Sequence, residues 1–325
     1  MKNPYYTGPV SDHFDGTRFS NYGLTSDKPF SAIWKWKRQG TRVPWPATRA
    51  TLPTDTPPER SEGLRVAFVG HASILLQAAG LNILFDPLWS DRASPFRRFG
   101  PLRIDPPGIR FDDLPPIDAV LVSHNHYDHM DLATLARLEA RDAPRVVTPL
   151  GNDAVIHARV PEMRVDTGDW GDRFVLSERV SVTLHPASHW SARGIRDRRM
   201  ALWSGFVLET PAGTVYHSGD TGYGDGAIFR RVREDFGAPR LALLPIGAYE
   251  PRWFMRDQHV SPDESVRIFQ DTGARDALGF HWGTFHLADE GIDQPAEALA
   301  AALDAAHVPR ERFRPMHPGE AFAFP

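Results

Sequence analysis

The apolar positions of this chain fall into short runs rather than long stripes. Residues 64–69, 73–77 and 81–85 form three such runs, separated only by Gly70-His71-Ala72 and Ala79-Gly80. Their length and turn-like boundaries predict strands. The run 117–122 predicts a further buried strand, and 130–138 carries apolar residues at helical spacing with Asp131 as cap. Beyond it, strand and helix patterns alternate. Strands are expected at 146–147, 163–165, 174–176, 180–184, 201–208, 214–216, 241–244, 277–280 and 320–324, with 174–176 and 180–184 forming an antiparallel pair. Helices are expected at 152–158 and 295–306, and from Ser261 onward, where Ser261, Pro262 and Glu264 supply cap, first turn and capping box. Residues 1–60 show no sustained period and predict an irregular arm, followed by one domain over 61–325.

Several predicted strands end on a histidine or aspartate followed by small residues. The strand at 117–122 runs into Ser123-His124-Asn125-His126-Tyr127-Asp128-His129, and later strands deliver His189, Asp220 and His281. On a strand-to-helix turn, alternate side chains can face one cavity. His124 and His126 can then grip one cation while Asp128 and His129 turn toward a second. Ligands at strand ends along one sheet edge converge, which is what a two-metal centre requires. Imidazole and carboxylate donors suit zinc, and iron or manganese fits the same set. His71, just after a strand, reads as a hydrogen-bonded core histidine rather than a ligand. Asp86 closes the third strand, where a carboxylate can orient a metal-bound histidine.

Composition narrows the function classes. Thirty-seven Lys and Arg face 41 Asp and Glu, a net charge of −4, so no basic footprint for nucleic acid is present. Without cysteine, disulfides and thiolate metal sites are excluded. No signal-peptide core opens the chain and no apolar run reaches the length of a membrane span, so a cytoplasmic location is expected. The segment Phe30-Ser31-Ala32-Ile33-Trp34-Lys35-Trp36-Lys37-Arg38 mixes aromatic and basic residues. That is the makeup of a membrane-interface anchor, and peripheral membrane contact through Trp34 and Trp36 is one expectation. A packed arm with solvated lysines is the other. Arg92, Arg97, Arg98 and Arg103, in the loop 87–116, are either a solvated face or anion contacts.

The run His124-Asn125-His126-Tyr127-Asp128-His129, followed in order by His189, Asp220 and His281, resembles the metallo-β-lactamase superfamily. The resemblance implies an α/β fold, a four-layer αββα sandwich, with a dinuclear zinc site at one edge of its paired sheets. Residues 123–131, 219–223, 245–255, Gln258-His259-Val260 and 281–285 further resemble the phospholipases D that hydrolyse N-acyl-phosphatidylethanolamines. The likeness runs from about residue 64 to about residue 320. It implies that His124, His126 and His189 hold one zinc, that Asp128, His129 and His281 hold the other, and that Asp220 bridges them. It also places His259 near the reacting phosphate. Asp128, Asp220 and His259 are accordingly the candidate catalytic residues. Tyr249, Trp253, Phe254 and Met255 are expected to line an apolar cavity for acyl chains, with ordinary packing as the alternative. Gln258, Arg97 and Arg98 complete the candidate substrate contacts, although the segment Phe96-Arg97-Arg98-Phe99 departs from the family sequence. The expected reaction is attack on phosphorus by a hydroxide held between two cations about 3.5–4 Å apart. The products would be phosphatidic acid and N-acylethanolamine. A lactonase, or another hydrolase of a soluble substrate, is the alternative on the same fold.

Overall fold

The computed structural model describes residues 2–22, 27–40, 42–47, 54–96 and 98–324. Fourteen strands among them form two seven-stranded sheets. The first contains β1 (Leu64–Gly70), β2 (Ser73–Ala78), β3 (Leu81–Phe85), β4 (Ala119–Leu121), β5 (Arg145–Pro149), β6 (Val165–Gly168) and the last strand, β14 (Ala321–Phe324), in the order β14-β1-β2-β3-β4-β5-β6. The second contains β7 (Arg173–Ser177), β8 (Val180–His185), β9 (Gly205–Thr210), β10 (Gly213–His217), β11 (Leu241–Pro245), β12 (Asp276–Phe280) and β13 (Phe313–Pro315), in the order β13-β12-β11-β10-β9-β8-β7. Each sheet mixes the two pairings: β1–β2, β2–β3, β8–β9 and β9–β10 are antiparallel, whereas β3–β4, β4–β5, β10–β11 and β11–β12 are parallel.

Period-2 alternation decides which side chains meet. Val66, Phe68, Ile74, Leu76, Ile83 and Phe85 face Val182, Leu184, Phe206, Leu243, Leu278 and Phe280 in one core between the sheets. The intervening residues Ala67, Val69, Leu75 and Leu84 point outward and are covered by Leu135 and Leu138 of α2 (Leu132–Asp142) and by Val155 and Ile156 of α3 (Asn152–His157). On the other outer face, Ala242, Leu244 and Ala277 lie beneath α4 (Ala227–Phe236), α6 (Pro262–Thr272) and α7 (Gln294–Ala305). This is the expected four-layer order of helix, sheet, sheet and helix.

Local signals behave as their chemistry requires. Asp131 caps α2 by accepting from the N–H of Ala133, and Glu264 closes the capping box by accepting from the N–H of Ser261 at 3.1 Å. The strand expected at 201–208 begins only at Gly205, because residues 201–204 turn across to the first sheet, where the Ser204 N–H donates to the Ser123 carbonyl at 3.0 Å. Three helices escaped the periodicity of the sequence: α1 (Phe30–Gln39), inside the arm predicted to be irregular, α4, and a short one that follows β11. A short helix, α5 (Arg252–Met255), packs against α1, where Trp36 stacks on Phe254 with ring centroids 4.8 Å apart. Among the described residues, no helix is long and apolar enough to cross a membrane.

Candidate metal centre

The turn after β4, residues 123–131, lies on the edge of the first sheet. His189 follows β8, Asp220 follows β10 and His281 follows β12 on the second sheet. The structure brings all seven expected ligand residues together. Near β4, His124 Nε2 lies 2.8 Å from His126 Nδ1, and His189 Nε2 lies 3.2 Å from the same atom. Beside them, His129 Nε2 and His281 Nε2 are 3.1 Å apart. Asp220 Oδ2 stands between the groups, 3.1 Å from His281, 3.2 Å from His129 and 3.8 Å from His189. Asp128 Oδ2 lies 3.4 Å from His281 and 3.6 Å from His129. Gly219 makes the placement of Asp220 feasible. Its φ of +61° and the 2.6 Å that would separate a Cβ from the Ser204 carbonyl both require glycine.

Hydrogen bonds behind the ring nitrogens define how the histidines present themselves. His124 Nδ1 is 2.9 Å from Ser123 Oγ, which donates to Asp86 Oδ2 at 2.7 Å. The same oxygen accepts from His129 Nδ1 at 2.7 Å. One fully buried carboxylate thus orients a histidine of each group, the role expected of Asp86. His189 Nδ1 donates to the Gln258 carbonyl at 2.9 Å. His71 Nε2 lies 2.9 Å from Asp128 Oδ2, so this core histidine borders the cluster and fixes its carboxylate.

The donor set fits cations better than hydrogen bonds. Three nitrogens meeting within 2.8–3.2 Å can satisfy only one pair with a proton, whereas one cation satisfies all three. Asp220 Oδ1 and His126 Nε2 are buried with no hydrogen-bond partner among the described residues. Protonation points the same way. Burial, reinforced by neighbouring imidazoles, holds His124 well below the usual histidine range. Burial likewise holds His189 well below that range and brings His126 to about 3. These rings are therefore neutral and their lone pairs free. Burial alone would also lower His129 and His281, but Asp220 and Asp128 outweigh it, raising His129 well above normal and His281 to about 9. The same two carboxylates thus favour positive charge at this end of the cluster, which a bound cation would supply.

His259 joins the group at its rim. Its Nδ1 is 3.7 Å from Asp220 Oδ2, and burial lowers it to about 4. Its side chain is 16 % exposed, as is that of Asp128, so the cluster opens to solvent on this side. Beside the 123–131 turn, a cavity of about 420 Å³ is walled by Trp89, Arg92, Phe96, Tyr127 and Arg193 among others.

The candidate substrate contacts are dispersed. Phe254 and Met255 are buried against Ala32, Ile33 and Trp36 of α1, the surroundings foreseen by the packing alternative. Trp253 is 43 % exposed with Lys35 Nζ 4.7 Å above its ring, and Tyr249 is buried. Gln258 is buried and acts on the cluster through its carbonyl rather than its side chain. Arg98 is exposed, and Arg97 lies outside the described residues. Of the two tryptophans expected to meet a membrane, Trp34 is 74 % exposed while Trp36 turns inward onto Phe254. Sequence reasoning missed Arg193, whose guanidinium lies 3.8 Å from the Tyr127 ring and donates to the carbonyls of Asn125 and Met130.

The model of a beta-lactamase superfamily domain matches residues 81–282. An N-acyl-phosphatidylethanolamine-hydrolyzing phospholipase D of Caenorhabditis elegans is 36 % identical over 255 residues, covering 75 % of this chain and 70 % of that protein. An uncharacterized protein of Mycobacterium tuberculosis is 38 % identical over 249 residues, covering 75 % of this chain and only 65 % of its own length. Among solved structures, an isothiocyanate hydrolase from Delia radicum gut bacteria superposes with a TM-score of 0.64 at 18 % identity, covering 80 % of this chain and 99 % of that one.

Proposed function

The chain belongs to the beta-lactamase superfamily and to its metal-dependent hydrolases, and on that premise we propose that it is a dinuclear phosphodiesterase of phospholipase D type. The observation that carries the reading is the meeting of two donor triads at one carboxylate. His124, His126 and His189 would hold one ion, Asp128, His129 and His281 the other, and Asp220 Oδ2 lies within 3.8 Å of three of these histidines. Zinc suits the donors. Two such ions supply a nucleophile at neutral pH and neutralise charge on an anionic diester.

The protein's own groups do the rest. Asp86 holds the tautomers of His124 and His129 so that both present Nε2 to the centre. Asp220 would stay ionised beside two such ions, because nearby positive charge favours its carboxylate over the cost of burial. His259 is neutral at pH 7 and stands on the open side, where its N–H can donate to a phosphate oxygen as charge develops. The cavity beside Tyr127 joins aromatic walls to Arg92 and Arg193 on one hand and Asp91 and Asp131 on the other, and it lies beside the candidate ligands rather than over them. Cleavage between phosphorus and the head-group oxygen of an N-acyl-phosphatidylethanolamine yields phosphatidic acid and N-acylethanolamine.

Mass spectrometry of products tests the reading. Metal-loaded protein given N-acyl-phosphatidylethanolamine should release N-acylethanolamine, and His126→Ala should abolish release. Opening of a homoserine lactone without cleavage of the lipid would transfer the function to a lactonase.

A further inference from the structure

His189 sits on a segment that belongs to neither sheet. The chain leaves β8 at His185 and re-enters the second sheet only at Gly205. Among the described residues no ladder hydrogen bond fixes the backbone of His189, although its ring must hold a defined position. That backbone is held by Asn21, 168 residues earlier in the arm. Asn21 Nδ2 donates to the His189 carbonyl at 3.2 Å, and Asn21 Oδ1 accepts from the His189 N–H at 3.2 Å. The same oxygen accepts from Trp203 Nε1 at 3.0 Å. The primary amide reproduces what a neighbouring strand would provide, one donor and one acceptor at a single residue. With Nδ1 donating to Gln258, three of the four polar atoms of His189 are held. Only Nε2 is left to face the centre.

The arm is anchored firmly enough to serve as a support. Phe14 and Phe19 are fully buried with Ala187, Leu202 and Trp203. Asn3 Nδ2 donates to the carbonyls of Thr17 and Met200, both at 2.8 Å, and the Phe19 N–H donates to the Arg199 carbonyl at 2.7 Å. The arm residues that make these contacts all lie before residue 23, outside the matched span 81–282, and most of their partners lie inside it.

We propose that Asn21 is a positioning residue of the metal centre, through which the N-terminal arm governs how tightly the His124–His126–His189 triad retains its cation. The proposal rests on the reading that this triad holds a metal ion. Outer partners of metal-bound histidines typically govern affinity by 10–100-fold.

Release of Co2+ from loaded protein into excess chelator separates the two readings. The wild type should bind two ions and release them in two phases. Asn21→Ala should accelerate one phase by about 10-fold or more and leave the other unchanged. Asn21→Asp keeps the acceptor toward His189 and Trp203 but loses the donor, so it should show a smaller acceleration of the same phase. It also carries the test if Asn21→Ala does not fold. Asn3→Ala removes one outlying anchor but leaves Phe14, Phe19 and Asn21 seated, and it should release at the wild-type rates. Wild-type rates in both Asn21 variants would overturn the clamp while leaving the metal centre standing. Equal acceleration by Asn3→Ala would reduce it to general loosening of the arm. A wild type that takes up no Co2+ would overturn the metal reading itself and the clamp with it.

Discussion

A carboxylate with two oxygens can set the tautomers of two histidines at once, and Asp86 does so. Its Oδ1 accepts from the Ser123 N–H at 2.7 Å, while Oδ2 takes the Ser123 hydroxyl and His129 Nδ1. In Asp86→Asn, one oxygen becomes an NH₂ group that faces His129 Nδ1. The imidazole must then carry its proton on Nε2, the atom needed for a cation. The φ of +40° at this residue is tolerated by asparagine, so the backbone need not move. The expected outcome is a folded protein with metal content near one ion per chain, measured by elemental analysis. Asp86→Ala should instead leave buried donors unpaired and cost about 3 kcal/mol or more of stability. Retention of two ions in Asp86→Asn would sink the tautomer argument. Asp86 and most of the candidate ligands were legible in the sequence because they lie at or just past a strand end, whereas His189 stands beyond the end of β8 on a segment outside both sheets. Asn21 and Arg193 were not legible, because their partners are backbone atoms distant in sequence and no residue pattern encodes such a pairing.

Among the elements, the arm departs most from its sequence pattern, since proline and aromatic residues hide both its helix and its anchorage. Helix α1 shows only Ala32, Ile33 and Trp36 to the core, too short a stripe to stand out. In α4, Phe229 and Val232 are spaced as a helix requires, but charged neighbours mask them. The arm's docking includes an ionisable latch. His13 is 6 % exposed, with Nδ1 2.6 Å from Asp12, Nε2 2.8 Å from Asp169, and its ring stacked 4.5 Å from Trp170. Burial alone would lower its pKa, but Asp169 and Asp12 outweigh that cost and raise it. A folded pKa above the unfolded value of about 6.5 means that the latch contributes fully below that pH. The contribution is lost as pH rises through the raised value. The difference in unfolding free energy between wild type and His13→Gln should therefore be largest near pH 6 and shrink toward alkaline pH. Proteolysis of the arm should accelerate over the same interval. A difference independent of pH would show that His13 is held as a neutral ring.

At the scale of the molecule, most strands are legible from their short apolar runs while their pairing into two sheets was implied by the family resemblance, and the centre is where the sheet edges are joined by something other than apolar packing. The first sheet contributes His124, His126, Asp128 and His129, and the second contributes His189, Asp220 and His281. Any ion held by this set ties one sheet to the other, and it binds the folded chain alone because no such cluster exists in the unfolded one. Binding is then folding free energy, about 4 kcal/mol for an ion present at a thousand times its dissociation constant. For a chain of 325 residues this corresponds to a rise in Tm on the order of 6 °C. Removing both ions with a chelator should lower Tm by about twice that amount, and restoring zinc should recover it. Asp220→Asn removes the carboxylate shared by both triads, so it should lose metal and activity together and its Tm should not respond to chelator or zinc. Burial of neutral histidines could by itself make a tight cluster, and calorimetry separates the cases. A hydrogen-bonded cluster melts at the same temperature with or without chelator, whereas a metal centre that bridges two sheets does not.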